Sequence, residues 1–231
     1  MQEEVIDGIV TCVQDYSDNT KLLTILSSEG KILVNAKGVN KAASKLKSVA
    51  TPFCFAEFSL ITKNQTTLAG AHLYDNFFSL STNYTNYILA SAILDLINKT
   101  TDDSYILKKL FVPCVNLVKN LCYQKQDGLI YFNAFLINYL NICGYKLNTK
   151  TCAGCGKTLS EFYFNPYDAS ILCANCKQHQ CQSLSAKQIE FVEKSEKECS
   201  LSNEELLALT KNLANAIYCL LGIKLKIEDV L

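Results

Sequence analysis

Leu22-Leu23-Thr24-Ile25-Leu26-Ser27-Ser28-Glu29-Gly30-Lys31-Ile32-Leu33-Val34-Asn35-Ala36-Lys37 decides how the first part of the chain is built. Leu22 to Leu26 is a short apolar run. Ser28-Glu29-Gly30 supplies turn chemistry, and beyond it Ile32, Val34 and Ala36 alternate with Leu33, Asn35 and Lys37. Alternation of period two across a tight turn predicts a hairpin of two strands. Upstream, Val5 to Val13 is apolar at both parities, which predicts a strand covered on both faces. Downstream, Phe53 and Phe55 lie on one parity and Phe58 and Leu60 on the other, so a bulge is expected near Ala56 and Glu57. Thr66 to Tyr74 makes a fifth strand after the turn Lys63-Asn64-Gln65. Five short strands with close turns predict a small barrel of the OB type over residues 1–79.

From there the apolar period becomes helical. Tyr84, Tyr87, Ala90, Leu94 and Ile97 share one face, and Ile106 to Leu121 and Ile130 to Cys143 continue the pattern up to Gly144. Ser185 to Gln188 and Ser202 to Glu205 have the spacing of capping boxes. The second opens a stripe of Leu206, Leu209, Leu213, Ala216 and Leu220 that ends at Gly222. The fold class expected is α+β: the barrel, then an all-α domain over residues 80–231 with a small cysteine-bearing insertion at 151–179.

That insertion carries the sharpest chemical signal. Cys152-Ala153-Gly154-Cys155 precedes Cys173-Ala174-Asn175-Cys176 by seventeen residues. Each pair can present two thiolates from one tight turn, and two turns complete a tetrahedron around one structural Zn²⁺. Four protein ligands leave no open position for hydrolytic chemistry. His179 and Cys181 lie close enough to substitute but break the paired pattern. A deaminase needs H-x-E with P-C-x-x-C; here Leu73 and Tyr74 follow His72, and no proline precedes either pair. With only 2 histidines and no G-x-x-x-x-G-K stretch, triad, two-His and phosphate-loop chemistries find no support. The protein is expected not to be an enzyme.

Charge is balanced at a formal +0, so any nucleic-acid contact must come from local clustering. All 22 basic residues are lysine, so phosphates can be held only by point-charge ammonium groups. Lys31, Lys37, Lys41, Lys45 and Lys47 form a stretch without an acidic residue, and Lys21 precedes them. These six are the candidate DNA contacts, with Tyr16, Phe53, Phe55 and Phe58 as candidate base-stacking rings. Taken alone, the same residues read more readily as a solvated loop and, above all for the phenylalanines, a barrel core. The opening Met1-Gln2-Glu3-Glu4 has no signal-peptide character, and no apolar run reaches the roughly 18 residues of a membrane span. Several of the 12 cysteines lie within apolar helical patterns, as buried thiols of a reducing compartment do. A cytoplasmic, nucleoid-associated location without membrane contact is expected.

Several segments together resemble the RecO family of recombination mediators. They are Glu29-Gly30-Lys31-Ile32, Ala36-Lys37-Gly38 and the loop ending Ser44-Lys45-Leu46; then Phe135 to Leu140 leading to Gly144-Tyr145, both cysteine pairs, and Leu221 to Lys226. The resemblance implies an OB fold, a helical domain and a zinc module. It further implies binding of single- and double-stranded DNA, strand annealing, and contact with RecR and with the C-terminal tail of single-stranded-DNA-binding protein (SSB). Together these help load RecA onto SSB-coated strands. Two positions depart from the family: Asp168-Ala169-Ser170 stands where glycines are usual, and Ala134 where an arginine is. The reading from another class is a zinc-ribbon scaffold for protein contacts with no nucleic-acid role.

Overall fold

The structure is a computed structural model that describes residues 2–39, 41, 44, 46–101, 103–194 and 201–230. By packing, the chain divides into units 1–124 and 125–231.

The first unit is organised by one long strand. β1 (Gln2–Ser17) pairs with β2 (Thr20–Ser27) through its second half and with β4 (Phe55–Thr62) through its first. Gly8 stands where the two pairings overlap. A Cβ there would lie 2.4 Å from Ile25 Cγ2, so only glycine admits the close approach. Gly8, Ile9, Val10 and Thr11 are all buried, so the two-sided cover expected from apolar residues at both parities holds over the middle of the segment, while Val5 and Asp7 are exposed. β3 (Gly30–Lys37) completes the hairpin with β2, and β5 (Thr66–Asp75) pairs with β4. The β4–β5 register shifts between Phe55 and Ala56, at the expected bulge. Val10, Leu23, Ile25, Val34, Phe58, Leu60 and Leu68 fill the interior.

The expected fold class needs one correction, and the barrel carries one weak seam. The strands follow the ring order β1-β2-β3-β5-β4, but β3 meets β5 through one parallel pair, Asn35 with Thr67. The five strands thus close a barrel whose one weak seam lies between β3 and β5. The Asn35 side chain reinforces the seam by donating to Gln65 Oε1 (3.3 Å) and the Thr66 carbonyl (3.4 Å). The correction is that the later part of the chain is not all-α. It contains β6 (Phe162–Asn165), β7 (Ser170–Leu172) and β8 (Gln182–Leu184), paired in the order β7-β6-β8.

The helices α1 (Tyr84–Lys99) and α2 (Ser104–Tyr123) belong with the sheet by packing, although strands give way to helix near residue 79. Buried Asn86 ties them together by donating to the Leu121 carbonyl (2.8 Å). Asn98 fixes α1 to β1: it donates to the Thr11 carbonyl (3.0 Å) and accepts from the Thr11 hydroxyl (2.7 Å).

In the second unit, α3 (Gly128–Ile142) and α5 (Asn203–Leu221) share a core of Phe132, Leu136, Leu140, Leu209, Leu213 and Ile217. Fully buried Asn133 donates to the Leu206 carbonyl (3.1 Å) and accepts from Thr210 (2.9 Å), so its polarity is satisfied inside that core. The capping box at Ser202 forms with both reciprocal bonds, as does the bond pair between Ser185 and Gln188 before α4 (Ala186–Lys194). Ala169 takes a left-handed φ of 51° between β6 and β7, a conformation that glycine adopts more readily. The Ser170 amide bonded to Asp168 Oδ1 (3.1 Å) helps hold that turn without the glycine. Among the described residues, no helix is long and apolar enough to cross a membrane.

Candidate metal centre and lysine-bearing cleft

Both cysteine pairs are built by turns closed through backbone hydrogen bonds. The Cys152 amide donates to the Lys157 carbonyl (2.8 Å), and Gly156, at φ 71°, returns its amide to the Cys152 carbonyl (2.9 Å). On the second turn the Cys176 and Lys177 amides both reach the Cys173 carbonyl (3.1 and 3.0 Å). Ala153 donates to the Ile171 carbonyl (3.1 Å), which locks one turn against the strand leading into the other.

The sulfurs of Cys152, Cys155, Cys173 and Cys176 consequently all lie within 4.8 Å of one another. Cys155 Sγ and Cys173 Sγ are 3.8 Å apart, close to the sulfur–sulfur edge of about 3.8 Å implied by a tetrahedron with Zn–S bonds of about 2.3 Å. Gly154 is where the turns come closest: a Cβ would meet Cys176 Cβ at 3.2 Å and its Sγ at 3.3 Å. The Cys173 amide aimed at Cys152 Sγ (3.3 Å) holds that thiol down to about 6, with smaller help from the Cys155 and Gly154 amides. Hydrogen bonding with the Cys155, Cys173 and Cys152 sulfurs pushes Cys176 up to about 12. The donor set fits zinc, and the cluster can coordinate that ion. Among the described residues these four form the one group with metal-ligand geometry, while Cys181 Sγ instead accepts from the Gln178 amide (3.3 Å).

The candidate lysines divide by their surroundings. Half-buried Lys31 points its ammonium at the end of α1, donating to the carbonyls of Asn98 (3.2 Å) and Thr100 (3.0 Å). It caps the negative end of a helix, which is a structural task. Lys31→Met should therefore lower stability by about 1 kcal/mol in urea denaturation while leaving the salt dependence of DNA binding unchanged. A smaller salt slope would make Lys31 a phosphate contact instead. Lys21 lies on β2 across from Asp15 and Ala36. Lys37, Lys41 and Lys47 are exposed, and Lys45 lies outside the described residues. The loop that carries them is pinned at both ends. Gly38 donates to the Asn19 carbonyl (2.6 Å), and Phe53 to the Val10 carbonyl (2.9 Å).

Beside the seam a cleft of about 690 Å³ opens, with Lys37 on one side and Lys63, Asn64, Gln65 and Thr67 on the other. From sequence, Lys63-Asn64-Gln65 reads only as a turn, although one lysine among amides at a strand end is a usable signal. Of the candidate rings, Phe53 and Phe58 are buried and Phe55 is half-buried; Tyr16 is exposed.

The comparisons with known proteins agree with this organisation. Residues 1–75 match the family model for the Recombination protein O N terminal region, and residues 81–226 match that for the C terminal region. A DNA repair protein RecO of Caldicellulosiruptor saccharolyticus is 27% identical over 229 residues, spanning 95% of this chain and 91% of its own. One from Clostridium perfringens is 30% identical over 179 residues, 74% of this chain and 72% of the relative. One from Bacillus pumilus is 26% identical over 172 residues, 74% and 67% respectively. With both terminal regions matched in order, the chain belongs to the RecO family of non-catalytic DNA repair and recombination mediators.

Proposed function

We propose that this protein binds single- and double-stranded DNA without reading sequence, anneals complementary strands, and helps load RecA onto SSB-coated single strands together with RecR. The observation that carries the DNA part is the cleft with Lys37 and Lys63 on its walls, continuous in sequence with the exposed loop lysines Lys41 and Lys47. Ammonium groups without arginine forks favour phosphates held by charge, each such pairing releasing condensed counterions. Two strands held on such a surface repel each other less, so complementary bases pair sooner. No bond is made or broken in this account.

The four cysteines hold one structural zinc that fixes both turns of the 151–179 module. Metal binding of this type is coupled to folding. The helical segments receive RecR and the acidic SSB tail, a reading supported by family membership. The zinc-ribbon scaffold without DNA contact is the less economical reading, since it leaves the acid-free lysine loop beside the cleft without a task.

Annealing tests the proposal. Two complementary dye-labelled oligonucleotides should pair several-fold faster in the presence of the protein, without nucleotide cofactor, and the gain should fade as salt rises. Equal pairing rates with and without the protein at low salt would leave only the scaffold.

A further inference from the structure

Residues 76–94 contain no charged side chain. The segment covers a 3₁₀ turn (Phe78–Thr82) and most of α1, and it exposes aromatic rings: Phe78 is 74% exposed, Tyr84 64% and Tyr87 43%. Ser79, Ser81, Thr82, Asn83 and Thr85 surround them, also exposed. Asn83 caps α1 by accepting from the Asn86 amide (3.0 Å), which makes Tyr84 the first helical residue and sets Tyr87 on the same face one turn later. The Tyr87 ring meets Phe53 edge-on at 5.7 Å. Phe53 is held at a left-handed φ of 69°, with its amide on the Val10 carbonyl, and it ends the lysine loop. Tyr87 is thereby joined, through one aromatic contact, to the segment that bears the candidate phosphate contacts.

We propose that Phe78, Tyr84 and Tyr87 form a platform that stacks the bases of a single DNA strand whose phosphates are held by the lysine loop. The proposal rests on the DNA reading above and adds what that reading lacks, a reason to prefer unpaired strands. Lysines hold the phosphates of single and double strands alike. Flat exposed rings recognise only bases whose faces are open, because in a duplex those faces are already stacked. The platform replaces the sheet phenylalanines as the stacking surface, since Phe53 and Phe58 have no face to offer.

The test uses the full chain carrying Phe78→Ala and Tyr84→Ala, titrated by fluorescence anisotropy against oligo(dT), a duplex of equal length and an abasic strand. Affinity for oligo(dT) should fall about tenfold or more, with an unchanged salt slope, while duplex and abasic strand bind as before. No loss on oligo(dT), or the same loss on all three probes, overturns the platform; the first outcome leaves the rings to a protein partner. Because the chain has no tryptophan, Tyr84→Trp gives a second readout that does not depend on the double variant folding. Its emission should be quenched by oligo(dT) and not by the abasic strand, and an indifferent emission contradicts the proposal. Loss of affinity in lysine variants with no effect of the ring variants defeats this inference alone. Indifference of both sets of variants defeats the DNA site itself.

Discussion

Cys173→Ser should strip the protein of metal: zinc content falls from about one ion per chain to almost none after dialysis against a weak chelator. The expectation follows from how little else holds the module. Its three strands contribute 4, 3 and 3 residues, too few to be stable alone, and buried Phe164, Ile171, Leu172 and Leu184 make a thin core. Binding to a four-thiolate site of this kind is worth on the order of 10 kcal/mol, nearly all of it realised as folding of the module. Cys173 is central because its carbonyl accepts two amides of its own turn and its amide donates to Cys152 Sγ. Removing its thiolate leaves three sulfurs around a position that needs four. Limited proteolysis should then cut between residues 150 and 184, while α3 and α5 keep their helical signal through the Asn133–Thr210 core. Stoichiometric zinc in a chain lacking all four cysteines would overturn the assignment.

Legibility differed between elements for physical reasons. The hairpin of β2 and β3, the bulge near Ala56 and both capping motifs are local, so alternation, parity switches and cap spacing reveal them. The seam could not be read that way, because whether β3 joins β5 once or along its length depends on where a distant turn sends the chain. Strands β6 to β8 escaped notice because three or four residues carry no period. The four-cysteine cluster was legible, since sulfur pairs at fixed spacing are a local signal. The lysines were legible only as a group. Nothing local distinguishes Lys31, which caps α1 from 67 residues away in sequence, from Lys37, which faces a cleft. The departure at Ala169 was visible as a missing glycine, and its left-handed φ shows the backbone demand that glycine ordinarily meets.

Salt-dependent DNA binding by a chain carrying Lys37→Gln, Lys41→Gln, Lys47→Gln and Lys63→Gln tests the central claim most directly. All four side chains are exposed on the first unit, so folding should survive, with stability changed by no more than about 0.5 kcal/mol. For the unmodified chain, the logarithm of affinity for single strands should fall linearly with the logarithm of salt, and unrelated sequences should lie on one line. Each lysine that meets a phosphate adds about 0.7 to the steepness of that line, so the variant's line should be shallower by about 0.7 for each such lysine replaced. Affinity at low salt should drop for all sequences alike, since no base edge is read by these side chains. The account predicts a shallower slope, a uniform loss and a folded protein. A folded variant that binds every oligonucleotide with the original slope and affinity would contradict it.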